Sequence, residues 1–65
     1  MTPKQKTQIL REFARAYRNY VQAIKDNDKY CINHYNAKCN QLETVCEILH
    51  IYIDLKMLRM SIDQE

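Results

Sequence analysis

A chain of 65 residues with no glycine and a single proline, Pro3, has almost no material for tight turns. Sheets depend on such turns, because hairpin loops need residues that accept positive φ or that pre-set a bend. Helices do not. Ala, Leu, Gln, Glu, Lys and Arg recur along this chain at helical spacing. The fold class expected is all-α, as one domain covering residues 1–65. At this length burial only narrowly exceeds the entropy lost on folding, so such chains lean on a disulfide, a metal or association with another copy.

Thr2-Pro3-Lys4-Gln5 reads as a helix start, with Thr2 as cap, Pro3 where a missing N–H costs nothing, and Gln5 reaching back. The helix that follows is expected over about 3–25. Its inner stripe is Leu10, Phe13, Tyr17, Tyr20 and Ile24, flanked by Ile9, Ala16 and Val21. Asp26-Asn27-Asp28 is the expected turn, since these side chains compete for backbone hydrogen bonds and Asp28 suits the cap of a new helix. Beyond it, Tyr35, Cys39, Leu42, Cys46, Leu49 and Ile53 keep a four-three alternation that predicts one helix over about 29–60. A rival reading places a third short helix after a break near residues 36–40, where Asn40-Gln41-Leu42-Glu43 is an acceptable cap sequence. Joined by a short turn, the two long helices are expected as an antiparallel hairpin.

The stretch from Leu42 to Leu58 is apolar over well beyond half its circumference. Only Glu43, Glu47, His50 and Asp54 share a narrow polar strip when the chain is wound at about 100° per residue. One neighbour cannot cover so wide an arc. The expectation is a homodimeric four-helix bundle or a higher oligomer, with Ile48, Ile51, Tyr52 and Leu55 facing another copy or a protein partner.

Charge is unevenly divided. Residues 1–25 carry Lys4, Lys6, Arg11, Arg15, Arg18 and Lys25 against Glu12, while residues 26–65 carry more acid than base, within an overall +2. Lys4, Arg11, Arg15, Arg18 and Lys25 fall on one helix face. Guanidinium groups in such a row suit phosphates, as does Tyr17 or Tyr20 beside them for base stacking. The same row suits an acidic protein surface, or serves as a solvated face with no partner. A membrane surface is the weaker match, because Trp is absent and the inner face is needed for packing.

Cys31, His34, Cys46 and His50 are metal-ligand types, but on one straight helix the two pairs lie about 20 Å apart, so no metal site and no cofactor is expected. No residue is assigned a catalytic role, since there is no glycine loop for phosphates and the one serine, Ser61, sits near the end. The polar start from Met1 to Gln8 carries no signal-peptide core, and the longest uncharged apolar run, Ile48 to Ile53, falls far short of a membrane span. A cytoplasmic address is expected. The function expected is a small non-enzymatic interaction protein, an adaptor or inhibitor of the kind mobile elements encode, working through its wide apolar helix face. The alternative is an oligomeric binder of nucleic acid or nucleotide phosphates through the basic face of the first helix.

Overall fold

The structure, a computed structural model describing residues 2–65, contains three helices: α1 Pro3–Lys25, α2 Lys29–Ile48 and α3 Tyr52–Asp63. No strand occurs among the described residues. α1 begins as its sequence directs. The Gln5 N–H donates to the Thr2 hydroxyl at 3.2 Å, and the Thr2 N–H donates to the Gln5 side-chain carbonyl at 3.0 Å. Two of the donors left over at a helix start are thereby satisfied.

α1 ends on Asn27 in the left-handed region (φ 55). The Asp28 N–H bonds the Ala23 carbonyl at 3.0 Å and the Asn27 N–H bonds the Ile24 carbonyl at 3.1 Å, the paired bonds of a Schellman turn. The Asp28 side chain then accepts from the Cys31 N–H at 3.2 Å and starts α2. Three residues therefore stop one helix and cap the next.

The second helix is not the continuous one expected over 29–60. It stops at Ile48, and the chain turns through Leu49-His50-Ile51 into α3. The break near 36–40 is absent, since those residues lie inside α2. His50 takes the left-handed conformation (φ 61), the Ile51 N–H bonds the Cys46 carbonyl at 2.9 Å, and the His50 N–H bonds the Glu47 carbonyl at 3.2 Å.

The reason is length. Leu49 shares a recess with Ile9, near the start of α1. A helix running straight on to Met60 would advance about 16 Å, where only about 9 Å of α1 remains to cover it. Turning back instead buries Ile51, Leu55 and Ile62. Each large aliphatic side chain contributes about 1.5–3 kcal/mol on burial, against about 1–3 kcal/mol for one left-handed non-glycine residue. Burial wins.

α2 returns along α1, bringing Lys38 to the level of Glu12 and Cys31 to that of Asn19. α3 runs in the direction of α1, from the Lys6–Asp54 pair (2.8 Å) to the Arg18–Glu65 pair (2.7 Å). The result measures 37 × 22 × 16 Å, its long axis matching the roughly 35 Å of α1. Phe13 and Ala16 from α1, Cys39 and Cys46 from α2, and Ile51 and Leu55 meet at the centre, with Leu10, Tyr17, Tyr20, Tyr35, Leu42 and Leu58 packed around them. Ile24, expected on the inner stripe, is exposed instead, and Ala23 takes the buried place beside it.

Candidate functional site

α3 is apolar on two opposite sides. Ile51, Leu55, Leu58 and Ile62 follow a four-three-four spacing and turn inward, where three of them are buried and Leu58 packs against the core. Ile53, Met57 and Met60 follow a four-three spacing about half a turn away and point outward. Their exposures are 73%, 65% and 54%, and Ile48 at the end of α2 is 70% exposed. Leu49 and Tyr52 beside the turn are partly open as well.

Asp54, Arg59 and Asp63 lie on the flanks of α3 and are bound sideways to the other helices, whereas Lys56 and Ser61 are exposed and make no such bond among the described residues. Asp54 pairs with Lys6 on α1, and Arg59 reaches Glu43 on α2 at 3.2 Å while its guanidinium lies 5.5 Å from the centre of the Tyr17 ring. The Tyr17 hydroxyl donates to Asp63. These bonds hold α3 in place, and the outward stripe is bordered by exposed Lys56 and Ser61. Methionines suit such a surface, because their unbranched, polarizable side chains adapt to the partner they meet.

Of the four residues expected to face a partner, Ile48 and Tyr52 are exposed, whereas Ile51 and Leu55 belong to the core. The correction follows from the turn at His50, which rotates the segment after it and directs a different stripe inward. Ile53, Met57 and Met60 were not among the expected interface residues. The signal for them was present as a second four-three stripe, but it merges with the first when the whole segment is wound as one helix.

The basic face divides. Lys4, Arg11, Arg15 and Lys25 are exposed and make no ion pair among the described residues. Arg18 is engaged instead, its Nε and Nη2 donating to the two Glu65 oxygens at 3.0 and 2.7 Å. That fork holds the Glu65 carboxyl below and the Arg18 guanidinium above their ordinary ranges. Arg15 joins Lys38, His34, Asn19, Tyr35 and Glu12 around a polar recess between α1 and α2, so cations of both helices converge there.

Tyr17 and Tyr20, expected on the inner stripe and assigned base stacking only in the phosphate-binding alternative, pack against the core. Tyr17 stacks on Phe13 at 5.7 Å and on Tyr20 at 6.2 Å, and the bond to Asp63 pushes its phenol above the ordinary value. The freely exposed aromatic is Tyr30, stacked at 6.4 Å on His34.

Cys31, Cys39 and Cys46 are free thiols. Burial raises Cys39 and Cys46, and the Asp28 carboxylate raises Cys31, so each is held in its protonated, weakly nucleophilic form. Among the described residues no three His, Cys, Asp or Glu side chains converge as metal ligands, and no helix is long and apolar enough to cross a membrane. No protein-family model matches the chain, and no curated protein or solved structure matches it either.

Proposed function

We propose that this chain is a small protein-binding module whose docking face is the outward side of α3, formed by Ile53, Met57 and Met60 and extended by Ile48 at the end of α2. The observation carrying this reading is the double-sided apolarity of α3, one stripe buried and the other open. Solvated helix faces carry charge or amide groups, and a small domain gains nothing in solubility from two methionines and an isoleucine in line. Such a stripe, read at i, i+4 and i+7, is the form in which a helix presents anchors to an apolar groove or to another helix.

The test is the double variant Ile53→Glu with Met57→Glu. Both side chains are exposed, so helicity and thermal stability should stay close to those of the parent. Association, followed by light scattering and by titration against any protein the parent binds, should fall by at least tenfold. Undiminished association would overturn this reading.

A second reading has one observation in its favour, the convergence of Arg15 and Lys38 at the α1–α2 recess, with exposed Arg11 one helical turn before Arg15. It assigns the basic side to a nucleic acid or another polyphosphate. Phosphate binding there would weaken steeply with salt. It would also fail in a triple variant carrying Arg11→Gln, Arg15→Gln and Arg18→Gln. Retention of binding by that variant would rule the basic side out.

A further inference from the structure

The recess at the seam of α1 and α2 is lined by no residue of α3. Arg15 and Asn19 stand one turn apart on its α1 wall, and His34 and Lys38 stand one turn apart on its α2 wall. Ala16, buried and ending at Cβ, leaves open the space that a longer side chain would fill. Tyr35 and Glu12 complete the lining. The cavity of about 360 Å³ lies at the small end of ligand sites, which run from about 300 to 1,000 Å³.

The fold leaves these groups without partners. Glu12, Arg15 and Lys38 make no ion pair among the described residues. The side chains of Asn19, His34 and Tyr35 make no hydrogen bond among them either. Lys6, Arg18 and Arg59, by contrast, are each tied to a carboxylate of another helix or of the chain end. Two cations and one carboxylate therefore face the same recess unpaired.

We infer that this recess binds the terminal phosphate of a small phosphomonoester. Such a group presents three oxygens in a tetrahedral array, so the Arg15 fork can take two from one helix while the Lys38 ammonium takes the third from the other. A carboxylate has two oxygens in one plane, and the fork alone would fill it. Asn19 and His34 add N–H donors on the two walls. Glu12 makes the site selective. Its carboxylate repels anions, except that it can accept a hydrogen bond from one that keeps a proton. Near pH 6 a phosphomonoester keeps its last proton about half the time, whereas sulfate and the diesters of a nucleic-acid backbone have none to offer. The site is separate from the outward stripe of α3. It shares Arg15 and Lys38 with the polyphosphate reading but takes a different ligand.

The experiment titrates glycerol phosphate, sulfate and dimethyl phosphate into the isotope-labelled full chain at low salt near pH 6, following the backbone amides. Glycerol phosphate should bind saturably with a dissociation constant of about a millimolar, shifting amides around residues 12–19 and 34–38. Arg15→Gln and Lys38→Gln should each weaken it by about tenfold, and Lys56→Gln, the same loss of charge on α3, by less than about twofold. All three side chains are exposed, so helicity should not change. Dimethyl phosphate and sulfate should bind less tightly than glycerol phosphate, and Glu12→Gln should narrow the gap to sulfate. Equal binding of the three anions by the parent chain would overturn the inference, as would a glycerol phosphate titration that never saturates. An oligonucleotide bound more tightly than glycerol phosphate, with Arg11→Gln as damaging as Arg15→Gln, would overturn it in favour of the polyphosphate reading.

Discussion

The turn at Asp26-Asn27-Asp28 and the turn at Leu49-His50-Ile51 close with the same pair of backbone hydrogen bonds and the same left-handed central residue. Their side chains play opposite parts. In the first, Asn27 belongs to the residue type that tolerates the left-handed region, and Asp28 caps the helix that follows. In the second, the residue at that position is His50, and α3 starts on Ile51 with no side-chain cap at all. What holds it is the far end of the lever. Ile51, Leu55 and Ile62 are buried, and Asp54, Arg59 and Asp63 are tied to α1 and α2. One turn is stabilised locally and the other by packing, so the second is the one that substitutions elsewhere can release.

That contrast is most severely tested at Leu55, which is almost wholly inaccessible. Leu55→Ala should cost about 2–5 kcal/mol, a large part of the stability of a domain this small, and should free α3 before α1 and α2 separate. Hydrogen exchange should report early loss of protection at residues 51–63 with the 26–28 turn still closed. A uniform loss would mean that the two turns do not differ as described. Ile53→Ala, on the opposite side of the same helix, should stay within about 0.5 kcal/mol in a thermal melt.

Glycine at the two left-handed positions gives a smaller but sharper comparison. His50→Gly should stabilise by about 0.5–1 kcal/mol, and Asn27→Gly should be near neutral because Asn already accepts that geometry. Denaturant midpoints would measure the difference, and equal effects would remove the claim that His50 is strained.

The smallest effect expected is a dependence on acid. The Cys31 contacts depress the Asp28 carboxyl and Arg18 depresses that of Glu65. A carboxyl held lower in the folded chain than in the unfolded one contributes its stability above the ordinary carboxylate range, and that share disappears as pH falls through the depressed value. Both groups are exposed, so the loss should be slight. It should be confined to the start of α2 and the end of the chain, and amide shifts at Cys31 and Glu65 should follow it. Leu49-His50-Ile51 contains no carboxyl and should show no such loss.

Much of this arrangement was legible in the residues. The Thr2 to Gln5 cap, the extent of α1, the stop at 26–28 and the start of α2 all depend on side chains bonding to backbone within three or four positions. Chemistry of that range is written in sequence order. Phe13, Cys39 and Cys46 were placed inward by their spacing for the same reason. The exposed apolar surface was legible only in outline: too much of it was expected after residue 42, yet two of the four residues expected on it, Ile51 and Leu55, are buried.

Helical content, the first turn and the excess of apolar surface were therefore determined by the sequence alone, because each depends on local hydrogen bonding or on composition. The second turn was decided by the tertiary structure. Leu49-His50-Ile51 is as acceptable in a helix as in a turn, and the choice depends on how far α1 extends beside it and on what α3 buries by folding back. With that choice came the identity of the exposed stripe. Two apolar stripes compete for one core, and which of them reaches it is settled by distance between helices, a quantity no local pattern contains.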